Sequence, residues 1–198
     1  APCSFGKTRV AVEMLANAAK KGKEGIFICD RIKLVQQAVE EFDRNGIEAG
    51  VIQGWDHPRA NWQSPIQIAS IQTLARRRNW PLSRLIIVDE AHIHYKTTTI
   101  LMEKYGRVPL VGLSATPFSK GLGNHYDDLI VPITASQLTD KGYLAPAKYY
   151  GGSKPNLKGV KSRRLNTGAS DYDPKNLAER MEDDVTLVGD IIKNWLKY

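Results

Sequence analysis

The strongest constraint on the fold is a short apolar segment that ends in two acidic residues. Leu85–Val88 form an uninterrupted apolar run, and Asp89 and Glu90 follow it directly. A strand that is apolar on both faces is typical of a parallel sheet covered by helices on each side. In open α/β sheets, ligands bind at the carboxyl ends of the strands. The sequence therefore predicts a buried parallel strand whose acidic end lies at a ligand site.

The composition is compatible with one domain or slightly more. The chain has 198 residues, of which 42% are hydrophobic, so it can bury a substantial core. Its 28 Lys and Arg exceed its 21 Asp and Glu, and the resulting charge of +7 favours a polyanionic partner. No apolar run reaches the roughly 18 residues of a membrane span, so we expect no membrane partner. Cys3 and Cys29 fit reduced thiols better than a disulfide framework.

The amino-terminal segment APCSFGKT has the form of the end of a phosphate-binding loop. Such a loop reads G-x-x-x-x-G-K-[ST] before a helix, and its N–H groups and the helix N-terminus bind phosphate oxygens. Lys7 is expected to reach the β and γ phosphates of ATP, and Thr8 to bind Mg²⁺ through its hydroxyl group. The residues predicted to surround the nucleotide are Cys3, Ser4, Phe5, Gly6, Lys7 and Thr8.

Apolar periodicity divides most of the chain into alternating strands and helices. This alternation predicts an α/β fold with a doubly wound, mostly parallel sheet and right-handed crossovers. The predicted strands are 25–29, 50–52, 64–71, 85–88 and 108–113. The predicted helices are 8–21, 32–44, 72–79, 98–105, 136–141 and 184–196.

The last quarter of the chain differs in composition from the part before it. Residues 153–173 are rich in charge and poor in apolar side chains, which is typical of a linker or loop. We expect a nucleotide-binding domain over residues 1–145, whose first strand is missing, and over 146–198 a linker and the incomplete start of a second domain. Because the chain begins without Met, we interpret it as a fragment.

Five segments occur in an order and spacing that resemble a known family. APCSFGKT, DRIKLVQQ, SIQTL, DEAH and SATP are similar to motifs I, Ia, Ib, II and III of superfamily 2 helicases. GLSATPFSKGLGNHYDDLIVP and LTDKGYLAP resemble the DEAH-box, XPB-like (SSL2-type) helicases of phages and prophages. The resemblance implies a first RecA-like domain of a P-loop NTPase and the beginning of a second, without its arginine-bearing motif VI. Ser4 and Phe5 depart from the usual loop composition.

The residue types in these motifs suit hydrolysis of a nucleotide. Cleavage of a γ-phosphate needs a divalent cation, a positioned water molecule and cationic stabilisation of the transition state. Thr8 and Asp89 offer the hydroxyl and carboxylate oxygens that Mg²⁺ prefers. Glu90 can orient and polarise the attacking water. We therefore expect an ATP hydrolase that uses ATP and Mg²⁺, with Glu90, Asp89 and Lys7 as catalytic residues.

The resemblance implies further roles for residues outside the phosphate loop. The histidine at the position of His92 couples the nucleotide site of similar helicases to motif III and to the second domain. Ser114 and Thr116 are implied to relay between nucleotide and nucleic acid. Without the resemblance, these residues read as a surface-loop histidine and as ordinary hydroxyls at a strand end.

Candidate nucleic-acid contacts lie just past the ends of predicted strands. Arg31 and Gln37 belong to the Ia-like segment, and Gln72 and Thr73 to SIQTL, where side-chain and backbone donors can meet phosphates. Solvated polar residues are a nearly equal interpretation of Arg31 and Gln72. The predicted partner is DNA, with RNA as the alternative, and the expected location is the cytoplasm of a bacterial or phage-infected cell.

Other polar and aromatic residues receive no functional assignment from the sequence. Residues 76–78 are three arginines that we interpret as solvated. His57 and Trp62 suggest base stacking, but a loop tryptophan more often packs on its own domain, which is the expectation here. A zinc site has no ligand spacing to support it. The residues that would have to form it are Cys3, Cys29, His92 and His94.

Three functions are compatible with the sequence. The favoured one is the amino-terminal motor half of an ATP-dependent helicase or translocase, inactive or nearly so in the absence of its second RecA-like domain. The second is the motor of a restriction-modification subunit, which would use the same chemistry. The third is a nucleotide-independent nucleic-acid-binding module whose ATP site is vestigial, and Ser4 and Phe5 are its support.

Overall fold

Five parallel strands form the central sheet of the computed structural model, which describes residues 5–93, 96–118, 121–147, 156–164, 170–182 and 195–196. The strands are β1 Gly25–Cys29, β2 Gly50–Ile52, β3 Ile66–Ser70, β4 Leu85–Val88 and β5 Leu110–Gly112. Their order in the sheet is β2-β3-β1-β4-β5, and every neighbouring pair is parallel. The predicted RecA-like, doubly wound α/β fold is confirmed.

Five helices accompany this sheet: α1 Lys7–Lys20, α2 Ile32–Arg44, α3 Ile71–Arg76, α4 Lys96–Tyr105 and α5 Ala135–Asp140. Four begin and end within about two residues of the predicted limits. The helix predicted over 72–79 is shorter than expected, because Arg77 already has extended backbone angles. The indole N–H of Trp80 donates to the carbonyl groups of Leu74 and Arg77, both at 2.9 Å, and so satisfies groups that the end of α3 leaves unpaired.

Alternate side chains of β1 enter two separate hydrophobic clusters. Phe27 packs with Phe42 and with other residues of α1 and α2, whereas Ile26 packs with Leu74 of α3 and Leu101 of α4. All five side chains are almost completely buried. Because successive residues of a strand point to opposite faces, the two clusters lie on the two sides of the sheet. This sandwich fixes the strands whose carboxyl ends hold the candidate site.

The chain divides into two compact units, Ala1–Ala145 and Pro146–Tyr198. The identity of the second unit as the start of another RecA-like domain stays a prediction. Among the described residues, no helix is long and apolar enough to cross a membrane.

The second unit contains regular structure where a linker or loop was expected. Two short antiparallel strands, β6 Ser162–Arg164 and β7 Ser170–Tyr172, lie within residues 153–173, so that prediction is wrong for them. Arg163 pairs with Asp171 across the two strands, and such opposite charges favour pairing.

A helix that the sequence analysis did not predict follows the strand pair. It is α6, Pro174–Glu182, and the Asp173 carboxylate accepts hydrogen bonds from the N–H groups of Lys175 and Asn176 at 3.1 Å. An aspartate before a proline is a helix-start signal that was missed. Of the predicted helix over 184–196, Trp195 and Leu196 are described and helical, and the rest lies outside the described residues.

Phe42→Ala should destabilise the fold that positions the site. The ring is completely buried and lies 6.2 Å from the Phe27 ring, so truncation leaves a cavity and costs about 3–5 kcal/mol. For a chain of this size, the midpoint of thermal unfolding should fall by about 6–20 °C when followed by circular dichroism. Ile32→Ala, at an exposed position of the same helix, is the control and should change stability by less than about 0.5 kcal/mol. An equal effect of both variants would contradict the packing described.

Candidate functional site

The segment Phe5–Thr8 contains the turn by which the chain enters α1. Gly6 precedes the helix with φ 88° and ψ 33°, a left-handed conformation that is costly for residues with a Cβ atom. No acidic residue lies in the first turn of α1, and no side chain caps it, so the positive end of the helix is not neutralised locally. Lys7 and Thr8 lie in that turn and are half-buried. Two predicted nucleotide-binding residues, Cys3 and Ser4, lie outside the described residues.

The acidic pair lies at the carboxyl end of β4, as predicted. The N–H of Glu90 donates to the Asp89 carboxylate at 3.0 Å. Glu90 has φ 49°, and among the described residues it is the one non-glycine with positive φ. Such a conformation costs about 1–3 kcal/mol and is concentrated at functional sites. The turn is held by the N–H of Ala91, which donates to the carbonyl of Leu113, and by that of Ile93, which donates to the carbonyl of Glu90, both at 2.9 Å.

Like charges surround Asp89, and one cation opposes them. Burial is the main cause that raises the pKa of Asp89 above its ordinary value, and the negative charges of Glu90 and Asp30 raise it further. The hydrogen bond from the Glu90 N–H and the positive charge of Lys7 act in the opposite direction. Lys7 of α1 and Asp89 of β4 are therefore close enough to interact electrostatically. A site with this surplus of carboxylate favours a bound cation.

Asp30 is a member of this cluster that the sequence analysis did not select. It follows β1 directly and is 8% exposed. In the parallel register Ile28 pairs with Val88, so the residues after both strands lie at the same sheet edge. An acidic residue directly after a fully buried strand was the signal that could have identified it.

His92 connects the acidic pair to the end of β5. Its Nδ1 lies 3.2 Å from a carboxylate oxygen of Glu90 and 3.1 Å from the Ser114 hydroxyl. The Ser114 hydroxyl also accepts a hydrogen bond from the N–H of Thr116 at 3.0 Å. The three residues to which coupling was assigned, His92, Ser114 and Thr116, are therefore in one hydrogen-bonded group with Glu90.

Two of the four predicted nucleic-acid residues form hydrogen bonds with other residues of the chain. The Gln72 amide donates to the Asp30 carbonyl group and accepts from the Ser70 hydroxyl at 2.7 Å. The Thr73 hydroxyl accepts from the N–H of Gly54 at 3.1 Å. Arg31, whose side chain is exposed, lies 3.5 Å from the Asp30 carboxylate. Exposed Gln37 lies on α2. Contact of all four with nucleic acid stays a prediction.

The loop that contains Trp62 shows a contact that the sequence did not suggest. The guanidinium carbon of Arg77 lies 5.0 Å from the centre of the Trp62 ring and 5.5 Å from that of Trp55. Trp62 therefore does pack on its own domain, as expected, but Arg77 is not simply solvated. Arg76 and Arg78 are exposed.

Comparison with known proteins places the chain in a family. The model of the family described as type III restriction enzyme, res subunit, matches residues 1–119, which contain the whole candidate site. A curated relative, the 51.5 kDa protein of a Lactococcus phage (isolate 7-9), is 28% identical over 207 residues and covers 100% of this chain and 40% of the relative.

One solved structure shares the fold, and a second is similar at a lower score. The UvsW helicase of bacteriophage T4 is similar with a TM-score of 0.51 and 16% identity, over 59% of this chain and 45% of that one. The Pyrococcus furiosus Hef helicase domain gives a TM-score of 0.49 and 24% identity, over 63% of this chain and 31% of that one.

The chain thus spans less than half the length of the phage relative and of the UvsW chain. The family match contains the whole candidate site, and the fold of the UvsW chain agrees with the α/β sheet described above. By its match over residues 1–119, the chain belongs to the family of the type III restriction enzyme res subunit.

Proposed function

We propose that this chain is the Mg·ATP-binding half of a nucleic-acid helicase or translocase, which couples ATP hydrolysis to movement on nucleic acid. The observation that carries the proposal is the pairing of two elements of the fold, the amino-terminal end of α1 with Lys7 and the carboxyl end of β4 with Asp89, where the charge of Lys7 acts to lower the pKa of Asp89. One element begins with the glycine turn of a phosphate-binding loop, and the other ends in a strained acidic pair. Phosphate, cation and water sites are all required for phosphoryl transfer, and these elements bring together side chains suited to each.

The residues present fit ATP with Mg²⁺ better than a metal held by protein alone. Among the described residues, no three His, Cys, Asp or Glu side chains form a group that could hold a metal ion. Mg²⁺ usually binds through one or two carboxylates together with waters and substrate phosphates. Asp89 and the Thr8 hydroxyl would hold the ion, whose chemistry is to neutralise charge on the phosphates. The half-buried Asp89 carboxylate, whose pKa is raised by desolvation and by neighbouring negative charges, agrees with this assignment.

Each remaining residue of the site has a role that follows from its position. Lys7, at the amino-terminal end of α1, binds phosphate oxygens together with the backbone N–H groups of the turn. Glu90 orients the attacking water through its carboxylate. His92 holds that carboxylate and the Ser114 hydroxyl at 3.2 and 3.1 Å, so it limits the directions that Glu90 can take.

The finer assignments belong to the same proposal. DEAH at Asp89–His92, SATP and the stretch after it support a DEAH-box, XPB-like subtype of phage type, with DNA favoured over RNA. The similar Lactococcus phage protein agrees with a phage origin. A second RecA-like domain in the same parent protein is proposed as the partner that completes the motor.

Two alternatives have support of their own. The family description names a restriction enzyme subunit, so the same motor could serve restriction-modification. A nuclease domain in the parent protein would favour restriction-modification, and a parent protein without nuclease activity would favour a helicase or translocase. The vestigial module is less well supported, because an abandoned ATP site has no reason to keep a half-buried Asp89 of raised pKa beside a strained Glu90.

Lys7→Ala should weaken ATP binding by about 10- to 150-fold, the usual effect of removing a hydrogen bond to a charged group. Isothermal titration of the chain with ATP and Mg²⁺ measures the change. Lys20→Ala is the matched control, because Lys20 is exposed at the opposite end of the same helix. Equal ATP affinity of Lys7→Ala and the unmodified chain would overturn the assignment of the phosphate site.

Glu90→Gln should keep ATP affinity within about twofold and lower hydrolysis by about 10²- to 10⁴-fold, because the amide cannot act as the base for water. Single-turnover hydrolysis of radiolabelled ATP, with the chain in excess, detects even slow chemistry. Glu13→Gln changes an exposed carboxylate of α1 and should have no effect. Unchanged hydrolysis in Glu90→Gln would remove Glu90 from the mechanism.

Asp89→Asn should stabilise the fold at pH 7 by about 0.5–2 kcal/mol while abolishing Mg·ATP binding. Because burial raises the pKa of Asp89 in the fold, its stabilising contribution is complete below the unfolded pKa and is lost as the pH rises through the folded one. Asparagine resembles the protonated acid, so the difference should vanish by pH ~3, below the unfolded pKa of about 3.9. Urea unfolding at both pH values tests this, with exposed Asp56→Asn as control. Lower stability of Asp89→Asn at pH 7 would contradict it.

A further inference from the structure

A second surface of the first unit combines aromatic and cationic side chains. We call it the Trp–Arg surface. Its depression has a volume of about 430 Å³ and lies beside the end of α3 and the loop after β2. The residues that line it are Trp55, Trp62, Arg76, Arg77, Arg78 and Asn79. None of them belongs to the candidate nucleotide site.

Arg77 is the internal support of this surface. Its guanidinium group lies over both tryptophan rings, at 5.5 Å from the centre of Trp55 and 5.0 Å from that of Trp62. Its Nη2 donates to the carbonyl of Gly54, and its Nε is buried without a hydrogen-bond partner among the described residues. Cation–π contacts of this kind fix the orientation of the rings. Arg77 is therefore a positioning residue and not a free cation.

Hydrogen bonds to β3 and to α3 hold the loop that presents the rings. The amide of Gln67, buried in β3, donates to the carbonyl groups of Asn61 at 2.8 Å and Ser64 at 2.9 Å, one on each side of Trp62. Next to Trp55, the N–H of Gly54 donates to the Thr73 hydroxyl of α3 at 3.1 Å. A surface held by buried side chains is preorganised, which lowers the entropy cost of binding.

The rings and the two outer arginines nevertheless face solvent. Trp55 is 80% exposed and Trp62 is 43% exposed. Within the part of the chain that the structure describes, no carboxylate lies within ion-pair distance of Arg76 or Arg78, and both are exposed. Two adjacent exposed tryptophans are unusual for a surface without a partner.

We propose that the Trp–Arg surface binds single-stranded nucleic acid, with bases stacked on Trp55 and Trp62 and phosphates bound by Arg76 and Arg78. Stacking needs unpaired bases, and arginines beside the rings supply the backbone charge, which is the combination found in single-strand binding sites. The chain's charge of +7 agrees with a polyanion. A protein or peptide partner has no comparable support from charge.

The position of the surface agrees with this partner. Gly54, Trp55 and Thr73 follow the carboxyl ends of β2 and β3, the same edge of the sheet at which Asp30 and Asp89 lie. A strand lying along this edge could reach both Thr73 and the Trp–Arg surface. The inference rests on the proposed function, because it names the surface at which the proposed motor binds its nucleic acid.

Fluorescence anisotropy of labelled oligothymidylate and oligouridylate, about 15 nucleotides long, tests the proposal without nucleotide present. Trp55→Leu and Trp62→Leu should each lower single-strand affinity by about 5- to 150-fold, the usual effect of one stacked base. Arg76→Gln with Arg78→Gln should reduce the slope of log affinity against log salt by about 1.4, at about 0.7 for each phosphate contact. The two oligonucleotides distinguish DNA from RNA as the preferred strand.

Matched controls separate this surface from general effects of charge and hydrophobicity. Tyr143→Leu removes another exposed aromatic ring, and Lys20→Gln with Lys21→Gln removes two exposed charges at the opposite edge of the sheet. Neither control should change the affinity by more than about twofold or the salt slope by more than about half of the arginine effect.

Two results of the anisotropy measurement would overturn the proposal. Absence of oligonucleotide binding by the unmodified chain, or equal oligonucleotide affinity of Trp55→Leu and the unmodified chain, would each exclude it. Trp55→Leu must also keep ATP affinity, and Lys7→Ala must keep oligonucleotide affinity. If Lys7→Ala leaves ATP binding unchanged, the proposed ATP site is rejected, and the proposal for the Trp–Arg surface is not affected.

Discussion

The parallel pairing of β1 with β3 and β4 is the constraint on which the site depends. Its register sets Cys29 opposite Ser70 and Ile28 opposite Val88. The polar residues after these three strands must therefore emerge at one edge, where no further strand residue separates them. The apolar interiors of the strands bury both faces of the sheet, and this leaves the edge as the place where charged groups can be concentrated.

The concentration of charged groups at this edge lowers the stability of the fold at two residues, Asp89 and Glu90. Asp89 is half-buried with two other carboxylates nearby, and Glu90 has a strained backbone and lies against His92, which also contacts Ser114. Neither arrangement is favoured by folding alone. An uncharged group at position 89 and a glycine at position 90 would each lower the free energy of the folded state. Their presence together agrees with the binding and chemistry proposed for this site.

The sequence predicted the elements better than it predicted the contacts between loops. Periodicity identified all five parallel strands, because burial on both faces of a strand is recorded in its own residues. Gln72 and Thr73 looked free because their partners, Asp30 and Gly54, are 42 and 19 positions away in the chain. The stacking of Arg77 on two rings depends on the path of a loop, which local spacing does not determine. The same limit explains β6 and β7, whose exposed residues have no apolar pattern.

Helix α3 lies between the two candidate sites and is bonded to both. At its beginning the Gln72 amide donates to the carbonyl group of Asp30, a neighbour of Asp89. One residue later Thr73 holds Gly54, and at its end Arg77 holds the rings of Trp55 and Trp62. Six residues thus connect the acidic edge to the Trp–Arg surface through hydrogen bonds and packing. A change in the position of Asp30 must either break the bond to Gln72 or displace α3 with it. Helix α3 is therefore the physical connection through which the two proposed sites can be coupled.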